Sequence, residues 1–368
     1  MNKQSNDNYP EVSIQKCTYE TLDILSLLQP LGGMNTFFEK GDRVLVKTNL
    51  LNATDPEQAV VTNPAFIIKI IESIIQAGGM PYIGDSPSGN FSKRRLQKVY
   101  EKTGISTLSK ELGVELNYDT GYKKIPIPHG KKLTKTRISN FIVDADAIIA
   151  LPKLKTHSLT MMTLATKIMF GAVPGLTKAR YHSRYIKRND FANMLLDILS
   201  ITPPQLFIMD GIIGMQGDGP MSGTPVELNM ALASIDPIAM DLAICKALKI
   251  EPMGIPTLKQ ANIRKLWPKK IRYPLLSPED VEYNDFLLPS TAGFLLTGKK
   301  EPSKYPVVTA DCVACGDCVQ ICPKKAISLP AEQAIIDYSK CIKCYCCHEV
   351  CTYNAISLDR INPSIKKL

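Results

Sequence analysis

The stretches DCVACGDCVQICP at 311–323 and KCIKCYCCHEVCT at 340–352 each space their cysteines as C-x2-C-x2-C-x3-C. Cys312, Cys315, Cys318 and Cys322 form the first set, and Cys341, Cys344, Cys347 and Cys351 repeat it 29 residues on. The same offset lays Ala326-Ile327-Ser328-Leu329 on Ala355-Ile356-Ser357-Leu358, so the segment is an internal duplication. Gaps of two residues wrap three thiolates around one face of an iron–sulfur cubane, and in paired motifs the fourth ligand comes from the other set. The expected ligands are therefore Cys312, Cys315, Cys318 and Cys351 for one 4Fe-4S cluster, with Cys341, Cys344, Cys347 and Cys322 for a second. Paired C-x2-C motifs also bind zinc, but the triple-plus-one grouping argues against that reading.

Only Cys17 and Cys245 lie outside this region, although the chain of 368 residues has eleven cysteines. Residues 1–10 are polar and lack an export signal, so the crowding points to metal rather than disulfides and to a cytoplasmic location. No apolar run reaches the eighteen or so residues of a membrane span. The net charge is +9, yet residues 306–360 hold five basic against six acidic side chains, so the whole surplus sits elsewhere. Such a surplus attracts an acidic protein or a carboxylated or phosphorylated substrate. Nucleic acid is not expected, because 7% aromatics with one tryptophan gives no interleaved basic and aromatic stripe.

Upstream, DRVLVKTN at 42–49 reads as a strand. A helix follows, with Asn63 as N-cap, Pro64 in its first turn, isoleucines at 67, 70, 71, 74 and 75, and Gly78-Gly79 as its stop. The next apolar run, 80–83, ends in GDSP at 84–87, completing a βαβ unit with parallel pairing. FIVDADAIIAL at 141–151 and QLFIM at 205–209 read as further buried strands, the second running into Asp210 and a glycine-rich loop at 211–220. A helix is expected to open at Asp236-Pro237. The expected division is an α/β domain over 1–253, an arm of little regular structure over 254–305 pinned by Trp267 and Phe294, a cluster domain over 306–360 and a tail over 361–368.

The cysteine segment resembles the bacterial-type two-cluster 4Fe-4S ferredoxins over residues 306–360. It departs from them at Thr352, where a proline is usual, and at Cys346, a ninth cysteine between two ligands. Cys346 reads first as a small side chain near the cluster, with an alternative ligand or a redox-active thiol as the other readings. His348 is expected on an exposed helix face. The first 250 residues resemble the family called domain of unknown function 362, through VLVKTN at 44–49, IGDSPSG at 83–89, LPKLKTH at 151–157, DGIIGMQGDGP at 210–220 and ASIDPIAMD at 233–241. Together the resemblances imply an α/β fold, a mostly parallel sheet with flanking helices, joined to a small α+β ferredoxin-like domain. They associate that α/β domain with electron transfer.

The densest polar constellation is Lys153, Lys155, His157 and Lys167, with Arg180 and His182 a little beyond. Alternation in an extended LPKLKTH sets Lys153, Lys155 and His157 on one face. With Lys47 at another strand end they would form an anion site, with His157 as a proton donor; alternatively the lysines cover the sheet edge. Asp85 and Asp210 sit at strand ends beside glycine, where they bind a hydroxyl, orient a lysine, hold a metal or simply form turns. The 211–219 loop spells neither dinucleotide nor P-loop fingerprint, so nicotinamide and nucleoside triphosphate are unsupported and a flavin is not legible.

The leading expectation is an oxygen-sensitive oxidoreductase whose two 4Fe-4S clusters pass single electrons to or from an anionic small molecule bound in the basic domain. Its partner would be an electron-donor protein of ferredoxin or flavodoxin type, or a redox enzyme. The alternative is a non-catalytic carrier whose α/β domain docks a redox partner.

Overall fold

The computed structural model describes residues 9–293 and 304–360. The main sheet contains β1 (Ser13–Lys16), β2 (Arg43–Lys47), β3 (Met80–Gly84) and β4 (Glu115–Leu116). A separate hairpin, β5 (Tyr122–Pro126) with β6 (Lys135–Ser139), follows. The main sheet then takes β7 (Ala147–Ala150), β8 (Lys153–His157), β9 (Met161–Thr163), β10 (Leu206–Gln216) and β11 (Thr224–Ser234). Its order is β1-β11-β10-β7-β2-β3-β4, with β8 also on β10 and β9 on β8. Neighbours from β10 to β4 run parallel, as do β8 and β10; β11 and β9 pair antiparallel, giving a mixed, mostly parallel sheet.

The βαβ unit forms where its pattern places it. Asn63 accepts from the Ala65 amide and Pro64 opens the helix Pro64–Gln76, which buries Ile67, Ile70, Ile71 and Ile74. Each of these burials stabilises by roughly 2 kcal/mol. Ile75 falls off that face and is exposed. The parallel register sets Lys47 opposite Gly84, which brings Lys47 and the next residue, Asp85, to one edge of the sheet.

Alternate residues of β2 and β7 feed two cores. Leu45 and Ile148 join one with the helices Arg188–Leu199, Pro237–Ala247 and Pro256–Ile263; Val44, Val46 and Ile149 join the other with Pro64–Gln76. Period-two alternation thus makes a three-layer arrangement. Asp236 caps its helix as expected, accepting from the Ile238 and Ala239 amides.

Three stretches differ from their sequence reading. The first part of 141–151 lies in a short helix, Asn140–Val143, leaving only Ala147–Ala150 as strand, because Ser139 and Asn140 break the extended run before it. The supposed glycine-rich loop is mostly strand, since β10 continues to Gln216 and turns back into β11. Its glycines serve close packing: a Cβ at Gly214 would sit 2.8 Å from Leu228 and 3.1 Å from the Leu154 carbonyl of β8. The 254–293 stretch carries the helix Pro256–Ile263, and Trp267 donates to the Leu258 carbonyl of that same helix at 2.8 Å. Phe294 and the 361–368 tail lie outside the described residues.

In the C-terminal module β12 (Tyr305–Val308) pairs antiparallel with β15 (Ile356–Asp359), and β13 (Ile327–Ser328) with β14 (Ile335–Ile336). The duplication is structural as well as sequential. The helix Asp317–Ile321 recurs as Cys346–Val350, and the left-handed residues Ala314, Gly316 and Lys325 recur as Lys343, Tyr345 and Asn354. Tyr345 holds at φ 62° a conformation that costs its Gly316 counterpart nothing.

Gly214→Val should destabilise the protein by about 2 kcal/mol through overpacking between β8 and β11. Urea denaturation followed by circular dichroism checks this; an unchanged midpoint would mean the close approach is not required.

Candidate functional site

Two hollows in the module are lined by cysteines, four around one and five, Cys346 among them, around the other. Cys312, Cys315, Cys318 and Cys351 bound one, and Cys322, Cys341, Cys344 and Cys347 bound the other. Each thus draws three thiols from one motif and the fourth from the other. Thiols are the donors an iron–sulfur cubane needs. Among the described residues no three histidine, cysteine or acidic side chains close on a single ion, and cysteines standing around a hollow fit a multi-iron cluster better than zinc. Amides already point at the sulfurs, Ala326 N–H to Cys322 Sγ at 3.2 Å and Ala334 N–H to Cys312 Sγ at 3.5 Å.

The second-repeat helix, Cys346–Val350, docks on the α/β domain. Asn52 donates to the Val350 carbonyl at 2.8 Å, and Arg95 links Asn52 to Asp317. Where it docks, a cavity of about 80 Å³ opens between the two parts of the chain. Lys47 and Asp85 reach it from the ends of β2 and β3, the edge at which open α/β sheets bind ligands. Lys178 and His182 lie one turn apart on the helix Leu176–Arg184 and share its inner face. Lys167 comes from the short helix Ala165–Ile168, whose first amides donate to buried Asp241 at 2.8 and 3.0 Å. The module supplies Cys346 and Glu349.

Most of these groups are already held. Lys47 pairs with Asp85 at 2.8 Å and donates to the Thr48 carbonyl at 2.7 Å. Gly171 permits this pair, because a Cβ there would collide with Asp85 and approach the Lys47 ammonium to 2.7 Å. Lys178 donates to the Ser86 carbonyl, the Ser86 hydroxyl and the Pro87 carbonyl, tying down the IGDSPSG loop. Burial pushes its pKa down to about 7 against the pull of Asp85. Burial, then the charges of Lys167 and Lys178, lowers that of His182 to about 3; its ring packs against Phe191 and Phe170. Burial raises Glu349 to about 7, opposed by Lys167, Lys155 and Lys178.

The structure separates the residues singled out in the sequence. Lys47, Asp85, Lys167 and His182 line the cavity; Lys153, Lys155, His157 and Asp210 do not. Lys153, Lys155 and His157 do share a face of β8, but each is consumed by a buried partner. Lys153 pairs with Asp210 at 2.7 Å, and Asp210 also accepts from Tyr19 and the Asn63 amide, so it joins β8 to the helix cap. Lys155 donates to the Val60 carbonyl at 2.5 Å, and desolvation drives its pKa well down. His157 Nδ1 accepts from the Leu159 amide at 3.1 Å, which leaves the Nε2 proton facing Glu349 at 3.3 Å, within ion-pair range but outside hydrogen-bond alignment. Desolvation holds this imidazole neutral, so its approach to Glu349 is not an ion pair. Arg180 points outward, and His348, expected on an exposed face, is buried in the interface.

Sequence reading passed over Lys178 and Glu349. The signal for Glu349 was in the duplication, where Gly316, Asp317, Val319 and Gln320 become Tyr345, Cys346, His348 and Glu349. Those changed positions are the docked ones. As built, the cavity concentrates three ammonium groups and an imidazole around two carboxylates, chemistry suited to holding a small anion.

A mostly parallel α/β domain joined to a 4Fe-4S module defines an iron–sulfur protein with the capacity for electron transfer. Residues 44–246 match the family described as Domain of unknown function (DUF362), and 334–357 match the 4Fe-4S binding domain; the chain belongs to the DUF362 family. It is 35% identical over 279 residues to "Thylakoid-associated protein sll1697" of Synechocystis sp., covering 74% of this chain and 85% of that one. Among solved structures it is similar to the lactate racemase apoprotein of Thermoanaerobacterium thermosaccharolyticum, at 14% identity and TM-score 0.39, covering 63% of this chain. It is also similar to a Thermotoga maritima protein of the Northeast Structural Genomics Consortium, at 13% identity and TM-score 0.35, covering 60% of this chain. The matched part spans 55% and 56% of those two solved chains. No helix among the described residues is long and apolar enough to cross a membrane.

Asp210→Ala should cost about 3 kcal/mol by leaving Lys153 buried without its partner, and Lys153→Met with Asp210→Leu should recover most of the loss. Denaturation of the cluster-loaded protein measures both; equal stability of the single variant and the parent would contradict the structural role given to Asp210.

Proposed function

We propose that this chain is an oxidoreductase that exchanges single electrons between two 4Fe-4S clusters and a small anion held in the basic cavity. Cys346 carries the reading. Its side chain lines both the cavity and the hollow bounded by Cys322, Cys341, Cys344 and Cys347, so ligand and cluster would be separated by about one side chain. When bound, the clusters supply one-electron transfer. The ligand sets are Cys312, Cys315, Cys318 and Cys351 for the outer cluster, and Cys341, Cys344, Cys347 and Cys322 for the inner one.

Lys47, Lys167 and Lys178 set the positive field of the cavity with neutral His182 beside them, Asp85 fixes Lys47, and the Lys153–Asp210 pair holds the strand end behind it. Cys315 is exposed beside exposed Val313 and Tyr353, a surface where a ferredoxin- or flavodoxin-type donor would reach the outer cluster. The division into an α/β domain, an arm and a cluster domain, a cytoplasmic location and sensitivity to oxygen belong to the same proposal, the last two because crowded free thiols and their clusters persist in reducing surroundings.

Cys351→Ala should disturb the outer cluster alone and Cys322→Ala the inner one, so that the coupled paramagnetic-resonance spectrum of two reduced clusters collapses to that of one in each variant. Loss of both signals together in either variant would argue against the exchanged ligands.

Reduced anaerobically and mixed with short carboxylates and organic phosphates that carry a reducible group, a 2-oxo function or an α,β-double bond, the protein should be reoxidised by a small molecule, faster at about pH 6 than at about pH 8.5. A lysine is charged below its pKa, so Lys178 attracts an anion below about 7 and loses that charge above it. Reoxidation by proteins alone would leave a carrier in place of an enzyme.

A further inference from the structure

The cations of the cavity are not equivalent. Lys47 is committed to Asp85 and a carbonyl, and Lys178 to three oxygens of the Ser86–Pro87 turn. Lys167, half-buried, has no hydrogen bond or ion pair among the described residues; the Phe170 ring lies 5.9 Å from its ammonium, and the charge of Glu349 acts on it. His182 is buried, and its Nδ1 is likewise without a partner. Buried polar atoms are almost always satisfied, and an unsatisfied one aimed into a cavity marks where a ligand or water belongs. Lys167 and His182 are also close enough for the lysine charge to act on the ring.

The size of the cavity narrows what can sit there. One water takes about 10–15 Å³ of such space. At about 80 Å³ the cavity therefore holds about eight non-hydrogen atoms or fewer. A nucleotide, a coenzyme thioester or an aromatic polyanion exceeds that enclosed space. Glu349 faces the same space; its Oε1 lies 3.3 Å from His157 Nε2, and its charge also acts on Lys167.

We infer that the cavity is a seat for a small oxyanion, a carboxylate of two to four carbons or inorganic phosphate, held by Lys167 Nζ beside His182 and Cys346. The inference rests on the proposed function in taking this cavity as the ligand site, and it adds the size class and the Lys167 contact. Lys47 and Lys178 shape the seat without touching the ligand.

Calorimetric titration of the cluster-loaded, oxidised full chain under anaerobic conditions tests this with acetate, glycolate, inorganic phosphate and adenosine monophosphate. Saturable one-to-one binding of the carboxylates or of phosphate is expected, the separate arms telling which, with none of the nucleotide. Lys167→Gln should weaken that binding about tenfold or more, while Lys167→Arg stays within about threefold. Unchanged visible absorbance in both variants verifies that the clusters are intact. Absence of saturable binding by every small oxyanion, equal binding of the nucleotide, or an unweakened Lys167→Gln variant overturns the inference. Binding as expected, with no reoxidation of the reduced protein by a reducible carboxylate of the same size, a 2-oxo or α,β-unsaturated acid, would leave the seat standing and remove the oxidoreductase reading instead.

Discussion

The contact on which the other features turn is the seating of the helix Cys346–Val350 against the C-terminal edge of the main sheet. A module of this size has little apolar interior of its own, and its core cluster borrows Ala179 from the α/β domain. The first-repeat helix, Asp317–Ile321, keeps small or solvent-tolerant residues at the equivalent positions. The second has exchanged them for Tyr345, Cys346, His348 and Glu349, all buried. One copy of a duplicated unit has thus become an interface. The Asn52 side chain fixes its end through the Val350 carbonyl, and Glu349 meets His157 at the end of β8.

That seating explains an otherwise costly feature, the burial of lysines along one sheet edge. Each buried ammonium loses hydration worth several kcal/mol unless it is paired or accepts a lowered pKa. Lys47 and Lys153 are neutralised by Asp85 and Asp210, while Lys155 has only a carbonyl and is driven well below its ordinary pKa. Lys167 and Lys178 close the set where the module covers them. The paired lysines are scaffold, which leaves few groups free to hold a ligand and makes the site more selective than its formal charge implies.

Much of this was legible in local pattern. Asn63-Pro64 with isoleucines at helical spacing specified the βαβ unit, and the parallel pairing then dictated that Lys47 and Asp85 share an edge. The cysteine intervals predict two ligand sets with an exchanged fourth member; one hollow has the cysteines of the first set around it, and the other has those of the second together with Cys346. Long-range pairing was not legible. Nothing in LPKLKTH says that Lys153 will meet Asp210 or that Lys155 will meet Val60, since those partners are set by how β8 lies along β10. Glycines at 211 and 214 read as a loop because the reason for them, the close approach of β8 and β11, is tertiary. Cys346 and Glu349 were visible as breaks in the repeat, but what they face depends on the docking of the module.

The claim most directly open to measurement is that the cavity and the inner cluster are neighbours separated by Cys346. Hyperfine spectroscopy of the reduced protein with carbon-13 carboxylates or with phosphate reads the distance between a bound anion and the unpaired spin. Resolved carbon or phosphorus coupling to the cluster held by Cys322, Cys341, Cys344 and Cys347, and not to the outer one, is the result the account predicts. A saturably bound anion showing no coupling to that cluster would contradict it.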